Sequence, residues 1–517
     1  KREVFFMSYI PEVKTTTKGY FPIKEGFLSE TYVAFGGTEY THDYSLLNYK
    51  LYNDDYKVTI DGKEYKARNC RVSKIPFNRP WPGHQRDFSQ SEDAAFISVY
   101  GSAPVTLTVS KKGGFPSPVV RPLSKNIPVK KSGEDVVITL EKHGQYVLEP
   151  ESEHNALHIF FEEAKEYPDA KDATYYYGPG IHFPGVITLK DNESVYIDKE
   201  AIVFGSLYSE GGKNIRVFGG GTIDNTTEER ICENCYENYT KGTLRFYDCK
   251  DIKIEDIILV NSSNWVLALF DCDNAVIDNI KIVGHWRYNA DGIDITNTSN
   301  VSIKNSFIRS FDDTITIKAI YEHPSVVENI VVDNCVLWCD WGNNCEVGIE
   351  TDAPIYRNIV FKNSDLIHNA ATAMDIQNGC GADISNVTFE NLNIEYSKYA
   401  LPMVFQQSEE QVYAADNMGV PNLIAIVNHK MPLRKRTPEG VIRATKDFFG
   451  YTHDILFKNI NVYMDELERN PSVILKSYDE NVVFKNIVID SLYINGAKQE
   501  NLDSFNLILQ NSEYEVK

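Results

Sequence analysis

Short runs in which apolar and polar residues alternate recur through the second half of the chain. Each run begins and ends with Asn or Asp and has apolar residues at its second and fourth positions; the runs start at residues 251, 274, 300, 329, 358, 386, 454 and 481. Alternation with a period of two is typical of β-strands. Recurrence at a nearly regular step predicts a solenoid, whose units bury their apolar faces only against their neighbours. The pattern therefore predicts an all-β, right-handed parallel β-helix of at least eight coils.

The polar residue that closes each run is predicted to stand at a corner of the coil. Asn tolerates the left-handed backbone and hydrogen-bonds within its own turn, so it suits such a corner. Corners of successive coils lie above one another in a solenoid. We therefore expect Asn279, Asn305, Asn334 and Asn363 to stack along one edge as a ladder of amide hydrogen bonds.

The first third of the chain does not repeat. It holds short strand-like runs such as Tyr56–Ile60 and Ala95–Tyr100, separated by turn-rich breaks such as Asp61-Gly62. Short strands at this spacing predict an antiparallel β-sandwich. We predict an N-terminal β-sandwich domain over residues 1–170, packed at the N-terminal end of a catalytic β-helix domain over residues 171–517.

The long step between residues 386 and 454 indicates an insertion at residues 399–452. The insertion contains a basic cluster, Lys430, Arg434, Lys435 and Arg436, in an otherwise acidic protein. Two interpretations stay open: a solvated loop, or a flap or partner contact beside a cleft.

The overall composition narrows the classes of partner. Hydrophobic residues make up 42% of the chain and aromatic residues 12%, as in a well-packed globular protein. The net charge of -21 argues against a nucleic-acid or anionic-membrane partner. No apolar run is long enough to span a membrane. The chain starts at Lys1 without a signal segment, and we interpret it as a mature or trimmed form of a secreted or periplasmic protein.

The nine cysteines predict neither a metal site nor a cofactor. Cys232 and Cys235 form one C-x-x-C pair, but a typical zinc site needs a second pair. Cys249 and Cys272 occupy equivalent points of two repeats, and we interpret them as stacked buried thiols.

Three carboxylates are the main candidates for catalysis. Asp291 precedes one apolar alternation, and Asp312 and Asp313 precede another about one coil later. Strict alternation would point Asp291 and Asp313 inward, where an unpaired carboxylate is very costly, so we expect a turn or bulge at the start of each strand, which Gly292 permits. Adjacent coils lie about 4.8 Å apart, so the acids interact and one keeps its proton at a raised pKa. A proton donor and a water-activating base then come from one cluster.

The segment from Asn289 to Lys318 resembles the core of the polygalacturonase-like hydrolases, glycoside hydrolase family 28, whose motif is Asn-Thr-Asp-Gly followed by Asp-Asp. Here Asn289 matches the motif and Ala290 replaces its Thr. Residues 177–206 and 214–224 also resemble glycoside hydrolase family 49, the dextranase and isopullulanase type, which carries a β-sandwich before its β-helix.

The resemblance to family 28 implies a role for each acid. Asp312 is expected to be the general acid, while Asp291 and Asp313 position and deprotonate the water. Inversion at the anomeric carbon is the implied outcome.

Two family motifs are altered in this chain. Where polygalacturonases carry Gly-His-Gly, Asn344 or Cys345 stands in place of the His. Where they carry Arg-Ile-Lys, whose cations hold uronate carboxylates, this chain has Asp375 and Gln377. An acid in place of a cation repels a uronate, which favours a neutral sugar at the cleavage subsite. A coil misplaced by a few residues would restore the polygalacturonase-type alternative.

Further candidates for sugar binding flank these motifs. His285, Trp286 and Arg287, with Tyr288, precede the first acid and offer stacking and hydrogen bonding; an ordinary loop is the alternative. Lys318 and Glu350 face the groove if alternation holds on their strands.

The combined prediction is a glycoside hydrolase that acts on a polysaccharide or oligosaccharide. Two rival interpretations stay open. A polysaccharide lyase would need carboxylate-held Ca²⁺ and a basic residue for elimination. A β-helix that binds carbohydrate without catalysis would explain the altered motifs.

Overall fold

A computed structural model describes residues 50–74, 91–228, 242–320, 325–398, 421–437, 440–467 and 469–517. Before residue 50 it describes four short strands, and for residues 432–445 only the backbone. Cys232, Cys235, much of the insertion and the side chains of Arg434, Lys435 and Arg436 lie outside the described part.

The larger unit is a right-handed parallel β-helix, as predicted. Its described strands join in one sheet of 31 strands that winds through three faces per coil. The repeat face, which carries the alternating runs, consists of Tyr175–Tyr177, Ser194–Ile197, Lys213–Gly219, Lys250–Glu255, Asp273–Asp278, Ser299–Lys304, Val327–Asp333, Ile355–Lys362, Asp383–Tyr396, Tyr451–Met464, Phe484–Ile494 and Ser512–Val516.

The other two faces complete each coil. The domain face consists of Val13–Lys14, Thr222–Asp224, Ile258–Val260, Lys281–Ile282, Phe307–Ser310, Val336–Cys339 and Asp365–His368. The third face consists of Leu244–Tyr247, Leu267–Phe270, Ile293–Thr296, Ile315–Ala319, Cys345–Thr351, Thr372–Asn378, Asn422–Asn428, Ser472–Lys476 and Asn506–Gln510. Gly180–Leu189 and Ala201–Glu210 run across both faces, and Ala497–Lys498 closes a terminal hairpin.

The inward positions of the alternating runs fill one continuous apolar core. Ile293, Ile295, Ile315 and Ile317 are fully buried in it. Each strand is paired with the same position one coil on, for example Ile293 with Ile315. Inward Ile, Val and Leu therefore stack on their own kind, and the positions between them point out of the helix.

The predicted Asn corners line one edge of the repeat face, but their amides form only part of the expected ladder, because Asn305 and Asn363 donate to Asp278 and Asp333 instead. Asn334 donates to Asn305 at 2.8 Å, and Asn391 donates to Asn363 at 2.9 Å. Asn279 donates to the aligned Asp256. The ladder residues have left-handed backbone, with φ near 55°. Asn tolerates this conformation, and its amide satisfies the corner of the next coil.

The N-terminal region forms a mainly antiparallel sheet wrapped around its own core. Its described strands are Phe5–Phe6, Tyr52–Ile60, Lys63–Ser73, Ser91–Tyr100, Val105–Lys111, Val119–Arg121, Lys130–Ser132, Asp135–Leu140, Gly144–Glu149 and Leu157–Glu162. Ser91–Tyr100 and Leu157–Glu162 are paired in parallel. Two 3-10 helices, Leu123–Lys125 and Ala170–Asp172, and two small hairpins, Ile23–Leu28 with Val33–Phe35 and Pro432–Thr437 with Gly440–Thr445, complete the described elements. The domain boundary near residue 170 stays a prediction.

The N-terminal sheet lies along the domain face of the β-helix, and the predicted packing at the helix end is wrong. Phe96 and Phe160 pack against Phe307 and Trp338 of two successive coils. The buried Arg121 pairs with Glu149 of its own sheet at 2.8 Å and also contacts the distant Glu395. The apolar residues of the domain face need a cover along several coils, and a domain at the helix end would leave them in water.

Two further predictions concern a pair of cysteines and membrane spans. Cys249 and Cys272 are buried and free, and they interact with each other as stacked thiols. Among the described residues, no helix is long and apolar enough to cross a membrane.

Candidate functional site

Three acids meet at the third face because two neighbouring coils place them just before their strands. Asp291 precedes Ile293–Thr296, and Asp312 and Asp313 precede Ile315–Ala319. The amide of Gly292 donates to the carbonyl of Asp313 at 2.8 Å. A Cβ at Gly292 would stand 2.4 Å from the carbonyl of Thr314, so this close approach, rather than a left-handed φ, requires glycine. The predicted position at the start of each strand is confirmed.

Lys318 lies at the centre of these carboxylates. Its Nζ donates to Asp291 Oδ2 at 3.1 Å and to Asp294 Oδ1 at 3.2 Å, and it lies 3.7 Å from Asp313 Oδ2. The ammonium group also lies over the ring of Trp265, 4.7 Å from its centre. One buried cation thus contacts acids from two coils. We call Asp291, Asp294, Asp312, Asp313, Lys318 and Glu346 the acid–lysine cluster.

Burial and charge give the acids of this cluster different protonation. Burial raises the pKa of Asp291 to about 6, and the Lys318 charge limits the rise. Burial and the charges of Asp291 and Asp313 hold the pKa of Asp312 well above its usual range. Burial therefore favours the protonated form of Asp312, while a pKa of about 6 leaves Asp291 mainly ionised at neutral pH.

Among the described residues, the side chain of Asp312 accepts two hydrogen bonds, neither of them from a charged group. The amide of Asn289 donates to its Oδ2 at a long 3.4 Å, and the backbone N–H of Asp313 donates to its Oδ1 at 3.1 Å. A Cβ at Gly342 would stand 2.7 Å from Asp312 Oδ1 and 2.5 Å from Asp313 Oδ1. The next coil can therefore approach both carboxylates only with glycine at this position.

Asp313 is held more firmly than Asp312. The backbone N–H of Asn343 donates to its Oδ1 at 2.9 Å, and Lys318 lies beside its Oδ2. Glu346, one coil on, makes a side-chain hydrogen bond to it. Asn343 is thus the residue of this coil that reaches the acids. Asn344 is instead buried, and its side chain donates to the carbonyl of His368 at 2.7 Å.

Asp375 and Gln377 lie on the third face as well, two coils beyond Asp312 and Asp313. Asp375 is paired in register with Glu346. Gln377 donates to Asp375 Oδ1 at 2.8 Å, and its own Oε1 accepts from His429 at 2.6 Å. Burial raises the pKa of Asp375 to about 8. This part of the face therefore presents uncharged hydrogen-bonding groups at neutral pH.

Other residues singled out in the sequence lie elsewhere. His285 is fully buried; one ring nitrogen faces the carbonyl of Leu259 and the other accepts from the amide of Ser262. Burial lowers its pKa to about 3, so it stays neutral. Trp286 is buried too, and Arg287 is buried with its guanidinium donating to the carbonyl of Asn261 at 3.0 Å.

Glu350 is half-buried near the end of its strand, and its charge acts on Lys318. It is therefore close enough to influence the cluster electrostatically, and its position facing the groove stays a prediction. Tyr288 is half-buried beside Asn289.

Sequence reasoning missed Asp294, Glu346 and Trp341. Asp294 and Glu346 occupy outward positions between buried core residues of their strands. The signal that the sequence offered is an acid between two apolar residues of an alternating strand next to the predicted acids. Trp341 stacks on Phe311 at 5.7 Å, with the rings parallel within 1°, next to Gly342. A half-buried aromatic ring beside the acids is suited to stacking on a sugar.

Asp375→Asn is expected to make the free energy of unfolding less sensitive to pH. The folded state keeps the Asp375 proton up to a pKa of about 8, whereas the unfolded chain loses it near pH 4. The stability from this proton is therefore full below about pH 4 and is lost as the pH rises toward the folded value. Asn resembles the protonated carboxyl, so the variant should gain a few kcal/mol on the wild type across this window in urea unfolding.

The exposed Asp503→Asn variant makes the same chemical change away from the third face and is the control. A difference between Asp375→Asn and the wild type that does not change with pH would contradict the buried, protonated state.

Metal ligation has no support in the described part of the chain, where no group of three or more His, Cys, Asp and Glu side chains is arranged to hold an ion. The chemistry available at the cluster is proton transfer between carboxyl groups and water.

Comparison with known proteins agrees with this chemistry. The family profile described as glycosyl hydrolases family 28 matches residues 173–431, half of the chain. A probable rhamnogalacturonase A of Aspergillus oryzae is 29% identical over 199 residues, which cover 36% of this chain and 40% of that protein. An exopolygalacturonase of Cochliobolus carbonum is 25% identical over 303 residues, which cover 52% of this chain and 64% of that protein. The alignments thus span less than two thirds of either relative.

A solved structure with a similar fold is Dex49A from Penicillium minioluteum. It aligns with a TM-score of 0.57 and 15% identity over 90% of this chain and 94% of its own. At that identity the likeness concerns the fold alone. The resemblance to family 28 is confirmed, and with it the membership of a glycoside hydrolase family. The resemblance to the dextranase type is confirmed for the fold.

Proposed function

This chain belongs to the glycosyl hydrolases of family 28, and from that premise we propose that it cleaves a glycosidic bond with inversion, with a neutral sugar unit at the cleavage subsite. Asp312 is the general acid that protonates the leaving oxygen. Asp291 and Asp313 hold the water and accept its proton. The substrate is a polysaccharide or an oligosaccharide.

The contact of Lys318 with both Asp291 and Asp313 is the observation that supports these catalytic roles. The charge of Lys318 limits the rise in the pKa of Asp291, and a water-activating base must be ionised. At Asp312, burial and the neighbouring negative charges outweigh the same cation and keep the proton in place. One cluster therefore supplies an acid and a base at the same pH.

The neutral-sugar proposal rests on Asp375, Gln377 and His429. None of the three presents a fixed positive charge to the third face, because burial lowers the pKa of His429 and Asp375 is an acid. A uronate would lose its carboxylate hydration there without gaining an ion pair. Hydroxyl groups, in contrast, can exchange hydrogen bonds with an amide and a protonated carboxyl.

The basic cluster of the insertion is the main argument for a uronate, rather than a neutral sugar, in the groove. Lys430 is exposed, donates to the carbonyl of Asp447 and lies 4.6 Å from the ring centre of Phe449. Lys430 comes just after the strand Asn422–Asn428, whose Val427 is paired with Gln377. A cation approaching the groove from here would support a uronate.

Stereochemistry is tested by following the anomer first formed during hydrolysis. Proton NMR of a reaction started at high enzyme concentration records the anomer before mutarotation mixes the two forms. Inversion predicts that the first product has the opposite anomeric configuration to the cleaved bond. First release of the same configuration would remove the inverting mechanism.

Initial rates of reducing-end release are expected to be higher on dextran than on polygalacturonate. The acid and amide at positions 375 and 377 do not neutralise a uronate, and the net charge of -21 repels a polyanion at a distance. Measurement at low and moderate salt separates the two effects. Fast release from polygalacturonate that weakens as salt rises would place a cationic subsite in the groove and contradict the proposal.

Action on rhamnogalacturonan is the second candidate, because several matched relatives carry the name rhamnogalacturonase. Rhamnogalacturonan is therefore the third substrate in the same comparison of initial rates. A polygalacturonase-type activity is the alternative that the relative from Cochliobolus carbonum favours. Secretion or a periplasmic location stays a prediction.

A further inference from the structure

We propose that Glu346 is a positioning residue for hydrolysis, which orients the Asp313 carboxylate from the neighbouring coil. The inference rests on the proposed role of Asp313 in holding and activating water. It concerns a side chain on the coil that lacks the family's Gly-His-Gly motif.

The position of Glu346 in its strand explains how it reaches Asp313. Its neighbours Cys345 and Val347 point into the apolar core, so Glu346 points out of the helix on the third face. It is paired in register with Thr316 on one side and with Asp375 on the other. Asp313 stands just before the strand that contains Thr316, and the two side chains are hydrogen-bonded.

Glu346 is the donor in this hydrogen bond. It is 2% exposed, and burial together with the charges of Asp313 and Asp375 holds its pKa well above its usual range, against the opposing charge of Lys318. A protonated carboxyl beside a carboxylate donates its O–H to it, which is among the stronger hydrogen bonds. The Asp313 carboxyl group is thereby fixed in direction.

The two water-activating acids are thus held in equivalent ways. Asp291 accepts from Lys318 and from its buried neighbour Asp294. Asp313 lies beside the same Lys318 and accepts from Glu346. Each carboxylate therefore has one contact with the shared cation and one with an uncharged carboxyl. Asp312, the acid that must rotate toward the leaving oxygen, has no such carboxyl partner among the described residues.

An oxygen next to Glu346 points to a ligand. Asp375 Oδ2, in the adjoining coil, is buried and has no hydrogen-bond partner in the described part of the chain. A buried oxygen without a partner is costly unless a ligand or water satisfies it. A sugar hydroxyl of the bound substrate is the group that fits there.

Three variants and a double-mutant cycle test the assignment, on whichever of dextran, polygalacturonate and rhamnogalacturonan the enzyme cleaves fastest. Glu346→Gln keeps a donor toward Asp313 and should retain kcat within about threefold. Glu346→Ala removes the donor and should lower kcat by about ten- to a hundred-fold, with KM changed less. In an Asp313→Asn background, Glu346→Ala should lower kcat no further, because its effect passes through Asp313.

The outcomes separate this inference from the proposed function. If Asp313→Asn leaves kcat unchanged, the role of Asp313 fails and the inference fails with it. If Asp313→Asn lowers kcat but Glu346→Ala does not, or the two losses simply multiply, only the role of Glu346 fails. A purely structural role would lower the thermal midpoint of Glu346→Ala without the rescue by Gln.

A crystal structure of Glu346→Ala supplies a readout that needs no substrate. The inference expects the Asp313 carboxylate to turn away from its present contacts, which are the Asn343 amide at Oδ1 and Lys318 at Oδ2. An unchanged Asp313 side chain in that structure would overturn it.

Discussion

Asp312→Asn and Asp291→Asn are each expected to lower turnover by roughly a hundred-fold or more, because each removes a proton-transfer group. A carboxamide at position 312 would donate a hydrogen bond but could not give up a proton to the leaving oxygen. The change at position 291 removes a base that titrates at a pKa of about 6. Initial rates of reducing-end release measure the loss, and near-wild-type rates in either variant would remove its acid from the mechanism.

Stability and a matched control keep this result interpretable. Because burial raises the pKa of Asp291, its stabilising proton is lost as the pH rises through about 6, so Asn should not lower the thermal midpoint at pH 7. Asp273→Asn makes the same change on the repeat face, where Asp273 accepts from Asn300 at 2.7 Å. Asn keeps an acceptor oxygen for Asn300, and the aligned residues Lys250 and Ser299 show that this position does not require a carboxylate. The control should therefore keep both its fold and its activity.

Lys318→Met is expected to lower turnover by a comparable factor and to shift the pH dependence of kcat/KM. In the wild type the acid limb should lie near the pKa of Asp291, about 6, since the base must be ionised. The Lys318 charge is the largest influence that lowers this pKa. Its removal should shift the acid limb to higher pH and lower the rate at neutral pH by on the order of a hundred-fold.

A second buried lysine serves as the control. Lys281 is as buried as Lys318 and pairs with Glu162 between the β-helix and the N-terminal sheet. Lys281→Met should lower the free energy of unfolding, because it leaves a carboxylate without its partner, but should not move the acid limb. An acid limb in Lys318→Met that stays in place would show that the pKa of the base does not depend on Lys318.

The fold was readable because its signals are local. Alternation within each run decides which residues point inward, and the repeat from Asp251 onward places equivalent residues one coil apart. The Asn corners follow from backbone preference alone. The same reasoning placed Asp291, Asp312 and Asp313 at the starts of two adjacent strands, because an apolar core excludes unpaired carboxylates.

The loops before the strands were harder to interpret. His285, Trp286 and Arg287 resemble sugar-binding residues in type and position, but the structure buries them beneath the loop. Loop side chains have no periodicity that separates buried from exposed positions. The aromatic ring found beside the acids is that of Trp341, which reaches this place through the next coil.

The sequence by itself determined the β-helix, its Asn-lined edge and the candidate catalytic acids, because each depends on contacts between residues close in sequence or related by one coil. Only the tertiary structure decided three further features: Lys318 as the shared partner of Asp291 and Asp313, the support from Asp294 and Glu346, and the position of the N-terminal sheet along the helix. Each depends on which outward side chains meet when the coils stack and on the paths of the loops between the strands. Neither those paths nor the protonation of the buried acids follows from residue type alone.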